Sequence, residues 1–307
     1  MTQNSASKPT DKVVQTAAQA ITPALRTWIV EQAQQGFGAD AVLQSMLASG
    51  WNEDTAIEAL ESTLRDHLQG THGTLGTLGT PMQQTLPPAV PVPVPSLGDS
   101  PLYVDAAGQR VRVLSSMATP HIVVFGNVLT PDECDALIAA AKPRLNRSLT
   151  VAVKTGGEEL NDDRTSSGMF FRRDENDVVK VLEERLAALV NWPVENGEGL
   201  QILHYKPGAE YKPHYDYFDP AEPGTPTILK RGGQRVATII MYLSEPEKGG
   251  GTTFPDVHLE VAPQRGNAVF FSYSRAHPIS KSLHGGAPVI AGEKWIATKW
   301  LRERRFE

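Results

Sequence analysis

Residues 70–101 constrain the fold most, because this stretch cannot contribute to an apolar core. It opens with the repeat TLGTLGT and continues into PPAVPVPVP. Glycine-rich repeats stay flexible and alternating prolines favour an extended polyproline II chain, so neither half can form a domain interior. The sequence therefore predicts an interdomain linker at 70–101, a small domain before it and a large domain over 102–307. A role of these prolines as a ligand for other proteins is the less favoured alternative.

The region before the linker has the pattern of a small helical domain. Residues 1–21 are mostly polar and predicted to be disordered. Over 22–69, three segments with helical apolar spacing are separated by glycine-containing turns. The run GFGADAVLQSMLASGWNEDTAIEAL resembles the ubiquitin-associated type of three-helix domain, which implies a protein partner for this region. A helical accessory domain of unknown partner is the open alternative.

Charge and cysteine content exclude several classes. The formal net charge of −6 and the pI near 5.8 argue against a general nucleic-acid binder, which is usually basic. The sequence has one cysteine, Cys134, so no intrachain disulfide can form, and this suits a reducing compartment. The N-terminus lacks the apolar centre of a signal peptide, and no apolar run reaches the roughly 18 residues of a membrane span. We expect a cytoplasmic protein with neither nucleic acid nor membrane as partner.

The large domain places helices first and strands later. Thr130-Pro131-Asp132-Glu133 combines an N-cap, a first-turn proline and a capping-box glutamate, which predicts a helix to about Ala141. A second helix is predicted over 177–190, and 148–163 is predicted to be a mobile loop. Short strands are predicted at 200–206, 212–216, 234–243, 252–254, 268–273 and 294–302. This order predicts an α+β fold, a barrel or double sheet with helices packed outside.

A candidate metal site lies at His214 and Asp216. On a strand, residues two apart point to the same side, so an imidazole and a carboxylate at this spacing can bind one ion together. The best candidate for a third ligand is His284, in the run SLHGG. Two histidines and one carboxylate with open positions are the arrangement of non-haem Fe(II) oxygenases.

Lys294, ten residues after His284, is a candidate for binding an anion. The alternation of the predicted strand 294–302 puts Lys294, Thr298 and Trp300 on one face. A lysine inside a barrel needs an anionic or polar partner, and an acid that also reaches the metal would provide one. The strand taken alone favours a solvent-exposed lysine; the spacing to His284 favours the buried position.

Six ordered blocks over about 120–306 carry a family resemblance. They are RTSSGMFF (164–171), GEGLQILHYKPGAEYKPHYDYF (197–218), GGQRVATIIMYLS (232–244), GGGTTFP (249–255), GNAVFFSY (266–273) and SLHGGAPVIAGEKWIATKW (282–300). Together they resemble the prolyl 4-hydroxylase branch of the Fe(II)/2-oxoglutarate dioxygenases. The resemblance implies a double-stranded β-helix (jelly-roll) catalytic domain with flanking helices, beside the small N-terminal three-helix domain.

The resemblance also implies a role for individual residues. The iron ligands would be His214, Asp216 and His284. Lys294 would hold the distal carboxylate of 2-oxoglutarate, helped by Tyr205 and Thr253. The residues that would contact substrate are Arg164, Ser166, Ser167, Glu198, Tyr211, Arg235 and Trp300. The implied cofactors are Fe(II), 2-oxoglutarate and O2, with ascorbate supporting activity.

The activity implied by the resemblance is hydroxylation of peptidyl proline at C4, with release of succinate and CO2. The partner would be a proline-containing peptide or protein. Two alternatives stay open. The same cofactor chemistry could act on lysine or a small molecule, because a core motif specifies the cofactor and not the substrate. The domain could also be a catalytically silent peptide-binding module, although the four intact residues His214, Asp216, His284 and Lys294 argue against silence.

Overall fold

The structure is a computed structural model that describes residues 21–34, 38–70, 86–147, 150–151, 158–159 and 164–307. The chain divides into two compact units, Met1–Gln83 and Gln84–Glu307. The predicted disorder at 1–21 falls almost entirely outside the described residues, as does most of the predicted loop at 148–163. Within the described ranges, no helix has both the length and the apolar character needed to cross a membrane.

The first unit contains three helices, α1 (Pro23–Gln34), α2 (Ala39–Ala48) and α3 (Glu53–Gly70). Their apolar faces meet in one small core made of Ile29, Val42, Met46, Ala56, Ala59 and Leu60. Ile57, next to the buried Ala56, is 38% exposed. It follows Ala56 by about 100° around the helix and so leaves the buried face. The likeness to a ubiquitin-associated domain stays a prediction.

The described part of the second unit adds the helices α4 (Pro131–Ala141), α5 (Asp177–Val190) and α6 (Thr225–Ile228). Its strands are β1 (Tyr103–Ala106), β2 (Gln109–Met117), β3 (His121–Gly126), β4 (Asn146–Arg147), β5 (Thr150–Val151), β6 (Glu158–Glu159), β7 (Ser167–Phe171), β8 (Leu200–Tyr205), β9 (Tyr211–His214), β10 (Arg235–Tyr242), β11 (Lys248–Gly249), β12 (Thr252–Phe254), β13 (Leu259–Val261), β14 (Ala268–Ser272), β15 (His284–Gly286), β16 (Val289–Ala291) and β17 (Lys294–Arg302).

The two predicted helices of this unit form as their end signals indicate. The Thr130 hydroxyl accepts a hydrogen bond from the Glu133 N–H, and the Glu133 carboxylate accepts one from the Thr130 N–H. This capping box starts α4, which ends at Ala141 as predicted. Helix α5 begins after an Asn176 cap and ends at a left-handed Asn191.

Two antiparallel sheets form the body of the unit. The larger has nine strands in the order β1-β2-β3-β14-β10-β17-β8-β7-β4, and the smaller has four in the order β13-β12-β15-β9. Apolar side chains of both sheets meet in one cluster, among them Leu203, Ile240 and Phe271 from the large sheet and Phe254 and Val261 from the small one. This packing confirms the predicted double-stranded β-helix (jelly-roll) fold class.

The central strands of the large sheet are buried on both faces. On β10, Ala237, Ile239 and Met241 belong to the core that also contains Leu137 of α4 and Leu186 of α5. The alternate residues of β10 point into the cluster between the sheets. Burial on both faces accounts for the nearly continuous apolar run RVATIIMYLS. The helices therefore pack outside the double sheet, as predicted.

The proline-rich half of the predicted linker packs against the rest of the second unit. The Val90 N–H donates to the Ser274 carbonyl at 2.8 Å, and the Arg275 guanidinium donates to the Pro87 carbonyl. Pro93 and Pro95 are buried. Residues 71–85 lie outside the described residues. The segment from about 86 onward thus belongs structurally to the second unit.

A chain that begins at residue 102 should unfold at a lower temperature than a chain that begins at residue 84. The shorter chain loses the buried prolines and the two hydrogen bonds of the 86–97 segment. Each kcal/mol lost should lower the midpoint by about 2–4 °C for a unit of this size. Circular dichroism melting of both chains measures the difference. Equal midpoints would show that the segment adds no stability.

Candidate active site

The site is built where β9 and β15 pair in the small sheet. His284 lies directly opposite His214 in their antiparallel register. Strand β9 ends at His214, so Asp216 lies in a bend after the strand and not inside the predicted strand 212–216. The carboxylate nevertheless reaches the two imidazoles, because the bend directs it back between them.

The three side chains are close enough to share one metal ion. The distance from His214 Nε2 to Asp216 Oδ1 is 3.7 Å, and from His284 Nε2 to Asp216 Oδ2 it is 3.4 Å. One ligand atom from each residue lies within 4.8 Å of the other two. Among the residues that the structure describes, no other group of His, Cys, Asp or Glu side chains meets this condition. Two imidazoles and one carboxylate are the donor set of non-haem Fe(II) centres.

Backbone carbonyls orient both imidazoles. His214 Nδ1 lies 2.8 Å from the Lys212 carbonyl, and His284 Nδ1 lies 3.0 Å from the Ser282 carbonyl. A carbonyl can only accept, so each Nδ1 carries a proton, and in the neutral ring the free lone pair is then on Nε2, the nitrogen that faces Asp216. Burial, with a contribution from the neighbouring His284, lowers the pKa of His214 to about 3. This imidazole is therefore neutral at pH 7, as a metal ligand must be.

A hydrogen-bonded chain fixes the Asp216 carboxylate. The Thr238 hydroxyl donates to Asp216 Oδ2 at 2.6 Å, and the Tyr273 hydroxyl lies 3.0 Å from the same Thr238 oxygen. An ionised carboxylate only accepts, so Thr238 uses its proton there and Tyr273 must donate to Thr238. Burial opposes ionisation of Asp216, but the two histidines, Arg235 and the Thr238 hydroxyl lower its pKa to about 2. No motif or spacing in the sequence indicates Thr238, which lies 22 residues from Asp216.

Lys294 is buried in the same cavity. Its ammonium group donates to the Gly250 carbonyl at 2.8 Å and lies 4.6 Å from the centroid of the Tyr205 ring. Within the described part of the chain, no carboxylate lies at ion-pair distance from it. Burial lowers the pKa of Lys294 to about 8. A buried cation without a protein anion is suited to an acid entering from solution.

The structure brings eight of the predicted site residues around this cavity: Arg164, Tyr205, Tyr211, His214, Asp216, His284, Lys294 and Trp300. Thr253, a predicted helper, does not line it, whereas the preceding residue Thr252 does. Alternation along β12 explains the difference of one position. The Thr253 hydroxyl lies 3.4 Å from the Gly285 carbonyl, while Thr252 accepts a hydrogen bond from Tyr242.

The other predicted substrate residues lie behind or beside the cavity. Glu198 forms a two-pronged ion pair with Arg235 at 2.7 and 2.9 Å, and its Oε1 lies 2.9 Å from Arg302 Nε. The Arg235 guanidinium lies 4.0 Å from the centroid of a Trp300 ring. Glu198 is therefore occupied by arginines, and Arg235 supports the Trp300 wall. Ser166 and Ser167 are outside the cavity lining.

Comparison with known proteins agrees with this geometry. The model of the 2OG-Fe(II) oxygenase superfamily matches residues 200–302. Prolyl 4-hydroxylase 5 of Arabidopsis thaliana is 44% identical over 210 residues, which cover 61% of this chain and 70% of that protein. Prolyl 4-hydroxylase 1 of the same plant is 42% identical over 203 residues, with the same coverage of 61% and 70%.

Among solved structures, the viral collagen prolyl hydroxylase of Paramecium Bursaria Chlorella virus-1, in complex with 2OG, is 30% identical. The match covers 59% of this chain and 95% of that one, with a TM-score of 0.47. The fold and the site define an oxygenase of the Fe(II)/2-oxoglutarate class. The chain belongs to the prolyl 4-hydroxylase family. This membership confirms the predicted enzyme class and the cofactors Fe(II), 2-oxoglutarate and O2.

Asp216→Ala should abolish tight binding of Fe(II), because the carboxylate is the one anionic ligand among the three. Thr238→Val, which removes the hydroxyl bound to Asp216 without changing shape much, should weaken binding by about 10–100-fold. Anaerobic titration with Co(II), followed by its visible absorption, measures both effects without turnover.

Two variants control for general damage to the core. Thr238→Ser keeps the hydroxyl and should bind Co(II) nearly as the wild type does. Tyr242→Phe breaks the 2.8 Å hydrogen bond from Tyr242 to Thr252 and should leave affinity unchanged, because the hydrogen bonds that orient the three ligands are made with Lys212, Thr238 and Ser282. Equal affinity of wild type and Asp216→Ala would refute the metal site.

Proposed function

We propose that this protein hydroxylates peptidyl proline at C4 with Fe(II) held by His214, Asp216 and His284. The observation that carries the proposal is one cavity that holds this cluster of two imidazoles and one carboxylate and, buried beside it, a lysine with no carboxylate partner among the described residues. The donor set and the fixed tautomers fit Fe(II). When bound there, the metal supplies the redox chemistry by which O2 and 2-oxoglutarate yield succinate, CO2 and a hydroxyl group on the substrate carbon.

Lys294 is proposed to bind the distal carboxylate of 2-oxoglutarate. It lines the cavity together with the three metal ligands, so one 2-oxoglutarate molecule can contact both the bound metal and the Lys294 ammonium group. Tyr205, whose ring lies 4.6 Å from the ammonium group, closes this end of the cavity. Thr252, which accepts its hydrogen bond from Tyr242, keeps its own proton to donate into the cavity. We propose it as the helper in place of Thr253, which is turned away from the cavity.

The substrate side of the cavity is aromatic and carries hydrogen-bond donors. Tyr211 stacks on His214 with 3.7 Å between ring centroids, and the Arg164 guanidinium lies 4.9 Å from the Tyr211 ring. Trp300 offers a flat surface, supported by Arg235. A pyrrolidine ring packs well on such surfaces, and an extended polyproline II peptide binds with little loss of chain entropy. Ser166 and Ser167 stay predicted peptide contacts, since neither lines the cavity.

Three further inferences have narrower support. A cytoplasmic location is supported by the single cysteine, which allows no intrachain disulfide. A protein partner for the unit formed by α1, α2 and α3 is supported by the sequence resemblance of that region alone. Ascorbate as a supporting reductant is likewise supported by the family resemblance.

Lys294→Ala should weaken apparent binding of 2-oxoglutarate by about 3–5 kcal/mol, because a carboxylate buried without its cation keeps the full desolvation cost. Iron binding should survive.

In the wild type, Lys294 with its pKa of about 8 loses its charge as the pH rises, so the KM for 2-oxoglutarate should increase above pH 8. Succinate formation measured between pH 7 and 9 tests both statements. Lys294→Arg keeps the charge and should remove the alkaline increase. An unchanged KM in Lys294→Ala would assign the carboxylate to another cation.

Poly(L-proline) should be a substrate or a competitive inhibitor, whereas free proline at equal concentration should be neither. The physical reason is that a peptide extends beyond the proline that reacts. It can therefore contact the aromatic side chains and hydrogen-bond donors on the substrate side of the cavity, which free proline is too small to reach. Mass spectrometry of product peptides, with the position of the hydroxyl group assigned by fragmentation and amino-acid analysis, makes the measurement. A gain of one oxygen atom on lysine peptides alone, or on a free metabolite alone, would end the proline assignment and leave the iron and 2-oxoglutarate statements intact.

A further inference from the structure

Phe170 is an exposed aromatic side chain that none of the roles above uses. It is 46% exposed, while its neighbours Met169 and Phe171 are buried in the core between the large sheet and the helices. Side chains alternate along a strand, so Phe170 points to the other face of β7. That face is the one that carries the cavity.

Strand register places Phe170 in a row with residues of the cavity wall. Phe170 is paired with Gln201 on β8, Gln201 with Thr298 on β17, and Thr298 with Ile240 on β10. Thr298 and Ile240 line the cavity. Directly paired residues share a face, so Phe170 continues the cavity wall two strands beyond Thr298, about 10 Å away.

Trp300 lies between Phe170 and the cavity and contacts both. Its ring centroid lies 6.4 Å from that of Phe170, with the ring planes 35° apart. Trp300 lines the cavity, is only 7% exposed, and its indole N–H has no hydrogen-bond partner in the described part of the chain. A buried donor without an acceptor next to two aromatic surfaces fits a peptide carbonyl followed by an apolar ring.

We propose that Phe170 forms a second proline subsite, which binds the substrate residue three positions from the hydroxylated proline. This inference rests on the proposed function. A polyproline II chain repeats its faces every three residues, or about 9 Å. That repeat is close to the spacing of about 10 Å between Phe170 and Thr298, the residue of β17 that lines the cavity in the same row. The subsite would make the enzyme prefer proline-rich segments to isolated prolines.

The test compares two peptides of equal length. One has a single proline in an alanine background, and the other has a second proline three residues from the first. The wild type should show a KM about 3–10-fold lower for the second peptide, the size expected for one aromatic contact. Phe170→Ala should abolish this preference with little change in kcat, and Phe170→Tyr, which keeps the ring, should retain it.

Tyr103→Ala is the matched control. Tyr103 is 41% exposed and lies on β1, at the opposite edge of the nine-stranded sheet, so this variant should keep the wild-type preference. The subsite is refuted if Phe170→Ala keeps the preference, or if it raises the KM of both peptides equally. Failure of the wild type to hydroxylate either peptide would instead refute the proposed function, and the subsite with it.

Discussion

The pairing of β9 with β15 is the interaction on which the site depends. It sets His214 and His284 directly opposite each other in the small sheet. The third ligand is tied to the other sheet, because the Asp216 carboxylate is hydrogen-bonded by Thr238 of β10. The metal cluster therefore spans both sheets, and its geometry depends on their packing. The shared cluster of apolar side chains that includes Phe254 and Phe271 keeps this spacing fixed.

Strand β17 shows how a polar site is tolerated inside the double sheet. Lys294, Thr298 and Trp300 face the cavity, whereas Trp295, Ala297 and Leu301 belong to the core beneath the helices. Lys299, on the core face, is paired with the buried Glu183 of α5. One face is thus secured by apolar burial and an ion pair with a helix. The opposite face can then hold a cation whose partner arrives from solution.

Local signals could be predicted from the sequence and long-range placement could not. The capping box of α4, the limits of α5 and the two faces of β17 follow from neighbouring residues, and all form as expected. The hairpin β1–β2 was not predicted, although β2 opens with the alternating run QRVRV. Strand β7 was not predicted because its sequence SGMFF lacks the alternation of a half-buried strand. On β12, the threonine that lines the cavity is Thr252 and not the predicted Thr253, because neighbouring residues on a strand point to opposite faces. The bond between Thr238 and Asp216 joins distant strands, so no spacing rule indicates it.

The charged groups that line the cavity influence which substrate side chain can bind there. Asp216 is the one carboxylate among the described residues that line it, and the metal ligand role uses that charge. A divalent ion and the Lys294 ammonium together leave positive charge in excess, which a dicarboxylate such as 2-oxoglutarate balances. Glu198 cannot serve a further cation, because Arg235 and Arg302 already bind it. Arg164 also lines the cavity, so a protonated lysine side chain would still meet a cation there and, among the described lining residues, no carboxylate beyond the metal ligand Asp216. A neutral pyrrolidine ring against Tyr211 and Trp300 meets no such cost, and the electrostatics of the cavity favour proline over lysine.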